Sequence, residues 1–377
     1  MSCSPQTLCV QKQDQQQDQQ VYTSVKDYYG KVLQTTNDLK TSACTGSSKP
    51  HPIVCRLLRT LPQAVTDKFY GCGNPLPLGI TGKDVLDLGS GSGRDCYVAA
   101  ALVGPQGSVT GVDMTDEQLQ TARENIEAFG QTLGYQPNLK FLTGYIEALE
   151  DAGVANESKD ICISNCVVNL SPNKPQVLAG VYTALRSGGE FHFSDMYSDR
   201  TVPESVRQHK ELHGEGLTGA LFANEFERIV KKIGFVSPRV LSIRHISIFD
   251  EQFKQLVGDT NYFSITYRLF KVRSAIGEAD CTATYLGTVE GHEEHYLLDI
   301  DNSFDTNVPR RVSANTATIL KESWLAKYFV VESVVDNNSD SQTIAAKRTP
   351  SECLMKSALQ AECSSPVLKS CSKQSTQ

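Results

Sequence analysis

Residues Val85–Arg94 read VLDLGSGSGR and decide the fold of this 377-residue chain. The apolar run Val85–Leu88 predicts a strand of a parallel sheet, because such strands are buried on both faces. Three glycines follow at alternate positions, where they let the backbone turn sharply and approach a ligand closely. The apolar, Ala-rich segment Cys96–Leu102 then predicts a helix. Strand, glycine loop and helix together predict the first unit of a doubly wound α/β sheet.

The spacing of the glycines narrows the class of ligand. A dinucleotide-binding loop reads G-x-G-x-x-G, but Arg94 stands where its last glycine would be. The phosphate-binding sequence G-x-x-x-x-G-K-[ST] does not occur in the chain. The pattern D-x-G-x-G-x-G, which begins at Asp87, resembles the first motif of S-adenosylmethionine-dependent methyltransferases. The alternative is a glycine-rich loop without a ligand, and the strand–turn–helix context argues against it.

A second acid supports a cofactor that carries a ribose. Val109–Met114 reads VTGVDM, which predicts a short strand ending at Asp113. In doubly wound folds an acid about 20 residues past the glycine loop accepts hydrogen bonds from ribose hydroxyls. Asp113 occupies this position. A solvated acid in a turn is the alternative interpretation.

The rest of the pattern predicts an α/β fold with a smaller second domain. Helical segments alternate with predicted strands, so we expect a Rossmann-like, parallel-dominated sheet with helices on both faces. The strands are predicted near Asp84–Leu88, Ser108–Asp113, Lys140–Thr143, Asp160–Asn165 and Glu190–Ser194. Residues Pro203–Ile233 are predicted to form helices that cap the crevice of the sheet.

Four regions are predicted along the chain. Residues 1–20 are Gln-rich and expected to be disordered, and residues 21–240 carry the cofactor-binding sheet. Short β-like runs across residues 241–349 predict a smaller α+β domain, and the Ser- and Lys-rich residues 350–377 predict a flexible tail.

Composition limits the partners and the compartment. The formal net charge of −7 argues against a dedicated nucleic-acid binder. No apolar stretch approaches the roughly 20 residues that cross a bilayer, so no membrane association is expected. The polar N-terminus has no apolar segment typical of a secretory signal, so a cytoplasmic location is expected. A monomeric state is also expected.

Three of the twelve cysteines are candidates for chemistry. Cys166 follows the fourth predicted strand, and ligands of open α/β sheets bind at the carboxyl ends of the strands. Cys72 lies in a Gly-Cys-Gly segment that can fold back over a cofactor. Cys44 lies in a Ser- and Lys-rich loop that can swing toward the crevice. For each of these thiols, a purely structural role is the alternative.

The chain resembles the arsenite S-adenosylmethionine methyltransferase family over most of residues 25–275. Tyr-Gly-Cys-Gly together with Ser-Asn-Cys-Val-Val-Asn is the combination that points to arsenic. The matching segments are YYGK (28–31), KFYGCG (68–73), VLDLGSGSGRDCYV (85–98), VTGVDMT (109–115), GYIEAL (144–149), SNCVVNLSP (164–172), GGEFHFSDMY (188–197) and TYRLFK (266–271).

The resemblance implies specific roles. Trivalent arsenic is soft and binds thiolates; Cys44, Cys72 and Cys166 match family cysteines that bind As(III) or form a disulfide during turnover. Such a disulfide implies a thioredoxin- or glutathione-type reductant, and the arsenical substrate can arrive as a thiol conjugate. The residues implied to contact S-adenosylmethionine are Tyr70, Gly71, Asp87, Gly89, Gly91, Arg94, Asp113, Met114, Ile146, Glu147, Asn165 and Val167.

One residue departs from the family pattern. The family has a fourth cysteine in the cap, within a segment like G-E-C-L-G-G-A-L, and Gly216 stands at that position here. The expected function is methylation of trivalent arsenicals by S-adenosylmethionine. The alternatives are a methyltransferase that acts on another small acceptor, or an arsenic-binding protein with weak or no turnover because this thiol is missing.

Overall fold

Five parallel strands form the centre of the computed structural model, which describes residues 19, 21–23, 25–26, 50–69, 71–207, 209, 212, 216–273, 281–333 and 354–359. They pair in the order β3-β2-β1-β4-β5, so the predicted parallel sheet is confirmed. The order reverses between β1 and β4, where a crevice opens at the carboxyl ends of the two strands. The strands are β1 (Asp84–Leu88), β2 (Ser108–Asp113), β3 (Leu139–Thr143), β4 (Lys159–Asn165) and β5 (Leu185–Ser198).

Helices cover both faces of this sheet. Successive residues of a strand point to opposite faces; Val85 joins an apolar cluster with Phe129 of α5, whereas Leu86 joins another with Phe226 of α8. The helices are α1 (Pro52–Leu58), α2 (Gln63–Thr66), α3 (Arg94–Val103), α4 (Asp116–Glu124), α5 (Ile126–Leu133), α6 (Lys174–Ala184), α7 (Glu204–Arg207), α8 (Ala223–Ile233) and α9 (Glu251–Val257).

Two antiparallel strands extend the sheet beyond β5. Strand β8 (Tyr262–Phe270) pairs with β5, and β7 (Arg239–His245) pairs with β8. The sequence prediction assigned residues from 241 onward to the smaller domain, but the boundary at 240/241 falls inside β7. The pattern of a strand shows which residues are buried and does not show which sheet the strand joins, which is the reason for this difference.

Part of the cap region is not helical as predicted. Among the described residues of this region, α7, α8 and residue 212 are helical, whereas residues 216–220 form a turn and β6 (Leu221–Phe222) pairs in parallel with the end of β5. The turn brings the backbone of the cap down onto the carboxyl end of β5, close to the crevice.

A smaller α+β unit follows. Strand β9 (Cys281–Tyr285) pairs with β12 (Arg310–Val312) and β13 (Phe329–Ser333), and α10 (Ala314–Glu322) packs against this sheet. A separate hairpin is formed by β10 (His295–Asp299) and β11 (Asn302–Asp305).

Part of the region predicted to be a flexible tail is ordered. Residues 354–359 are helical, and Met355 is buried in the apolar cluster of the main sheet that also holds Phe226. An apolar helical face of only six residues escapes a composition-based prediction. Of the predicted disordered residues 1–20, only residue 19 is described, and it is helical.

Candidate active site

The glycine loop, residues 89–93, lies at the crevice between β1 and β4. Gly89 has a φ of +64°, and a β-carbon there would overlap the side chain of Val167, which follows β4. This close approach explains why the loop begins with glycine. Gly93 is the N-cap of α3, so the loop leads directly into a helix N-terminus whose N–H groups favour an anionic group.

Asp113, at the end of β2, is hydrogen-bonded to the glycine loop. Its Oδ2 accepts a hydrogen bond from the Gly91 N–H at 2.8 Å, and its Oδ1 accepts one from the Thr115 N–H at 2.8 Å. Burial raises the pKa of Asp113, and these backbone bonds oppose that shift. Each carboxylate oxygen keeps a lone pair for a further donor, as recognition of a ribose requires.

One cavity runs along these elements, and most of the predicted cofactor residues line it. Gly71 and Arg94 are not among its described lining residues, and Tyr70 and Cys44 lie outside the described residues. Lining residues from the prediction are Asp87, Gly89, Gly91, Asp113, Met114, Ile146, Glu147, Asn165, Cys166 and Val167. Lining residues that the prediction missed include Phe69, Ser90, Asp95, Thr115, Gln118, Tyr145 and Ser171.

Arg94 acts one contact away from the cavity. Its guanidinium forms an ion pair with Asp95 at 2.7 Å and lies 3.0 Å from the ring centroid of Phe69. Both partners line the cavity, so Arg94 lies one contact from it, and its predicted contact with the cofactor stays a prediction. Gly71 is likewise one contact away, because a β-carbon there would overlap Phe69 and press against Asn165.

The cavity wall is acidic. Asp87 is buried at the end of β1, where burial and the neighbouring Asp95 raise its pKa, and its Oδ2 accepts a bond from the Cys96 thiol at 3.2 Å. Glu147 accepts a hydrogen bond from the Ser171 hydroxyl through Oε1, and its buried Oε2 has no partner in the described part of the chain. Carboxylates so placed fit a ligand with a positive charge and N–H or O–H donors, as S-adenosylmethionine has.

Asn165 brings the segment around Cys72 to the end of β4. Its Oδ1 accepts from the Gly73 N–H at 3.1 Å, and its Nδ2 donates to the Gly73 carbonyl at 3.0 Å and to Asp95 Oδ2 at 2.9 Å. The Ser264 hydroxyl of β8 donates to the Cys72 carbonyl at 3.0 Å. The Gly-Cys-Gly segment is thus held at the Cys72 carbonyl and at Gly73.

Cys72 and Cys166 are joined by a disulfide with a Cα–Cα distance of 5.7 Å. Cys166 has a φ of +59°, unusual for a residue with a side chain, and its N–H donates to the Ser194 carbonyl of β5 at 2.8 Å. Both sulfurs are buried, and Cys166 also lines the cavity. Two of the three cysteines that the sequence singled out are therefore bonded to each other at the carboxyl end of β4.

Asp195 is a residue of this region that the sequence analysis did not single out. It is buried at the carboxyl end of β5 and accepts hydrogen bonds from the Asn169 N–H, the Asn169 side chain and the Met196 N–H. These bonds hold the 3₁₀ turn Val168–Leu170, which follows Cys166. Its position near the end of the fifth predicted strand could have identified Asp195 from the sequence, because functional residues of such sheets lie at the carboxyl ends of strands.

Within the described ranges, no three His, Cys, Asp or Glu side chains cluster as metal ligands. A helix long and apolar enough to cross a bilayer is also absent from those ranges.

The sheet order, the glycine loop, Asp113 and the cavity define a Rossmann-like methyltransferase. A family model described as a methyltransferase domain matches residues 81–234, and one described as the arsenite methyltransferase C-terminal domain matches residues 278–377.

Known proteins narrow this class further. The arsenite methyltransferase of Mus musculus is 42% identical over 313 residues, covering 82% of this chain and 83% of that protein. The Homo sapiens arsenite methyltransferase is 40% identical over 319 residues, covering 84% and 85%. The crystal structure of an arsenic(III) S-adenosylmethionine methyltransferase from Chlamydomonas reinhardtii superposes with a TM-score of 0.73 at 49% identity, covering 76% of this chain and 97% of that one. This chain belongs to the arsenite methyltransferase family, as its sequence motifs predict.

Proposed function

We propose that this protein methylates trivalent arsenicals, such as arsenite and methylarsenite, with S-adenosylmethionine as the methyl donor. The observation that carries the proposal is the meeting of Cys72 and Cys166 at the edge of the cofactor cavity. A pair of thiols suits a soft, thiophilic centre. Cys44, which lies outside the described residues, is proposed as a third ligand, and the predicted cofactor contacts remain part of the proposal.

The residues of the chain act mainly by positioning. When bound, S-adenosylmethionine supplies an electrophilic methyl group. Asp113, Asp87 and Glu147 would hold the cofactor. Asn165 and Ser264 place Cys72 opposite Cys166. Thiolate-bound As(III) carries a lone pair and no proton, so its reaction with the methyl group would need no general base. The C–S bond of the sulfonium would break, S-adenosylhomocysteine would leave as a neutral thioether, and arsenic would become As(V). Holding the two reactants in one aligned pair is the principal contribution to rate.

The disulfide must be reduced before arsenic can bind both sulfurs. A dithiol of the thioredoxin type, or two molecules of a glutathione-type thiol, would supply the two electrons and be oxidised to a disulfide. Among the other described cysteines, Cys55, Cys96 and Cys162 form no disulfide. Free thiols support a reducing compartment such as the cytoplasm, and we propose a monomer there.

The test is turnover with separated products. Reduced protein is incubated with arsenite, S-adenosylmethionine and a thiol reductant, and the arsenic species are resolved by chromatography with mass detection. We expect methylated arsenic from the parent protein and none from Cys166→Ser, with Cys55→Ser as the matched control that retains turnover. Full turnover by Cys166→Ser would overturn the thiolate mechanism.

Gly216 favours a second candidate, a protein that binds arsenic and turns over weakly. The cap presents no thiol at this position, where its family has one. This candidate predicts little methylated product in that experiment. In a separate titration of reduced protein, after the reductant is removed, it predicts loss of about two free protein thiols per arsenic bound. A methyltransferase for another small acceptor predicts no loss of thiols at all.

A further inference from the structure

Met196 occupies the space that a side chain at position 216 would need. Gly216 has a φ of +77°, and a β-carbon built there would overlap the Cε methyl of Met196 and lie 3.8 Å from its sulfur. Met196 is 2% exposed, so its side chain has little room to move aside. The glycine in the cap and the methionine of β5 are therefore a complementary pair.

The same methionine stands beside the two cysteines. Residues two apart on a strand point to the same face, so Met196 follows Ser194 on one face of β5. The Ser194 carbonyl accepts from the Cys166 N–H, and a β-carbon at Gly73 would overlap the Ser194 hydroxyl. Cys72, Cys166 and Met196 belong to one buried apolar cluster. Met196 is consequently the next side chain after Ser194 on the face of β5 against which Gly73 packs, and it shares one apolar cluster with both cysteines.

The backbone of the cap turn, residues 216–220, packs against the carboxyl end of β5. A β-carbon at Gly219 would overlap the Asn169 carbonyl, and the Asn169 side chain donates to Asp195 and to the Met196 carbonyl. The turn 216–220 thus packs directly on the end of β5 and on the segment that follows Cys166. Position 216 is fixed above Met196 by these contacts.

We propose that Met196 is a specificity-determining residue of the acceptor site. Its side chain closes the space above Cys166 from which the cap would otherwise contribute a sulfur, so arsenic is held without a ligand from the cap. The inference rests on the proposed function. It implies that a cysteine at 216 provides a second thiol to Cys166 only when Met196 is shortened.

The test is arsenic binding, which does not require methylation. In a Cys44→Ser/Cys72→Ser background, Cys166 is the one remaining thiol of the proposed acceptor site. Phenylarsine oxide is the probe, because two thiols replace its oxygen and release water. Its affinity and the number of thiols consumed are measured for Gly216→Cys, Met196→Val and the double variant. A parallel set carrying Cys166→Ser measures binding by the remaining cysteines.

We expect Gly216→Cys alone to bind about as weakly as the background, and the double variant to bind about 100-fold more tightly, as a chelating second thiol allows. Gly216→Ser/Met196→Val is the control, matched in size and lacking the thiol. Equally tight binding by Gly216→Cys alone would overturn the proposal, as would a folded double variant that gains nothing.

A stability cycle keeps the proposal testable if a cysteine at 216 prevents folding. Gly216→Ala should destabilise the parent protein, and Met196→Val should recover part of that loss because it removes the overlapping methyl. An equal cost of Gly216→Ala in both backgrounds would show that the two side chains do not compete. Failure of the proposed function would instead appear as absence of methylation with this coupling intact.

Discussion

The indole N–H of Trp324 donates a hydrogen bond to Oε2 of Glu190 at 2.7 Å and joins the smaller unit to the main sheet. Glu190 is fully buried on β5, and Arg268 of β8 binds both of its oxygens at 2.7 and 2.9 Å. Arg268 also donates to the Leu298 carbonyl of β10. One buried carboxylate is thus shared by the central sheet, its antiparallel extension and the smaller unit.

Glu190→Gln should destabilise the folded protein by about 3–5 kcal/mol, because it leaves the buried Arg268 without its charge partner. The measurement is the free energy of unfolding in urea. Arg200→Gln is the control; it removes an ion pair of an exposed arginine with Asp199 and should change that free energy by no more than about 0.5 kcal/mol. Equal changes in the free energy of unfolding for the two substitutions would show that the buried ion pair stabilises the fold no more than the exposed one.

Acid sensitivity should depend on His192. Burial lowers the pKa of His192 to about 4, and neither ring nitrogen has a hydrogen-bond partner among the described residues. In the unfolded chain His192 is protonated below about pH 6.5, whereas in the folded chain it stays neutral down to about pH 4. The free energy of unfolding therefore falls as the pH drops through this window. The loss from this group is at most about 3 kcal/mol.

In His192→Phe, the free energy of unfolding should therefore change less between about pH 6.5 and pH 4 than in the parent protein. Urea unfolding at a series of pH values measures this. Asp195 acts in the opposite sense, because burial raises its pKa to about 6 and the folded state then binds more protons than the unfolded state. The difference between parent and variant isolates the histidine, since Asp195 is common to both. Parallel profiles for the two proteins would contradict the assignment.

Asp113→Asn should weaken S-adenosylmethionine binding by about 10- to 100-fold, the range expected for loss of hydrogen bonds to a charged group. The amide also replaces an oxygen that accepts from the Gly91 N–H with a donor, which disturbs the glycine loop. Isothermal titration calorimetry measures the affinity. Asp116→Asn, three residues along at the start of α4, is the control expected to bind normally; an unchanged affinity for Asp113→Asn would remove Asp113 from the site.

The sequence predicted the parts of this molecule that are encoded by patterns among neighbouring residues. The five parallel strands, the glycine loop and Asp113 follow from apolar runs, spacing and strand ends, and Cys166 follows from its place after β4. The contacts of Trp324 with Glu190 and of Asn165 with Gly73 join residues 134 and 92 positions apart. No local pattern encodes such separations, so the membership of β8 in the main sheet and the holding of Cys72 became visible only in three dimensions.

Asn165→Asp should slow formation of the Cys72–Cys166 disulfide by about tenfold or more. The carboxylate cannot donate to the Gly73 carbonyl, and it faces Asp95, whose Oδ2 now accepts from the amide at 2.9 Å. Both changes release the Gly-Cys-Gly segment, and the effective concentration of one thiol near the other falls. The rate is measured by counting free thiols after transfer of the reduced protein into an oxidising glutathione buffer.

Asn138→Asp makes the same chemical change at an exposed asparagine and should oxidise at the parent rate. Far-ultraviolet circular dichroism on both variants separates loss of the fold from loss of positioning. Oxidation of a folded Asn165→Asp protein at the parent rate would mean that the Ser264 contact alone suffices to hold Cys72. A slower rate that Ser264→Ala reduces further would show that both contacts hold the segment together.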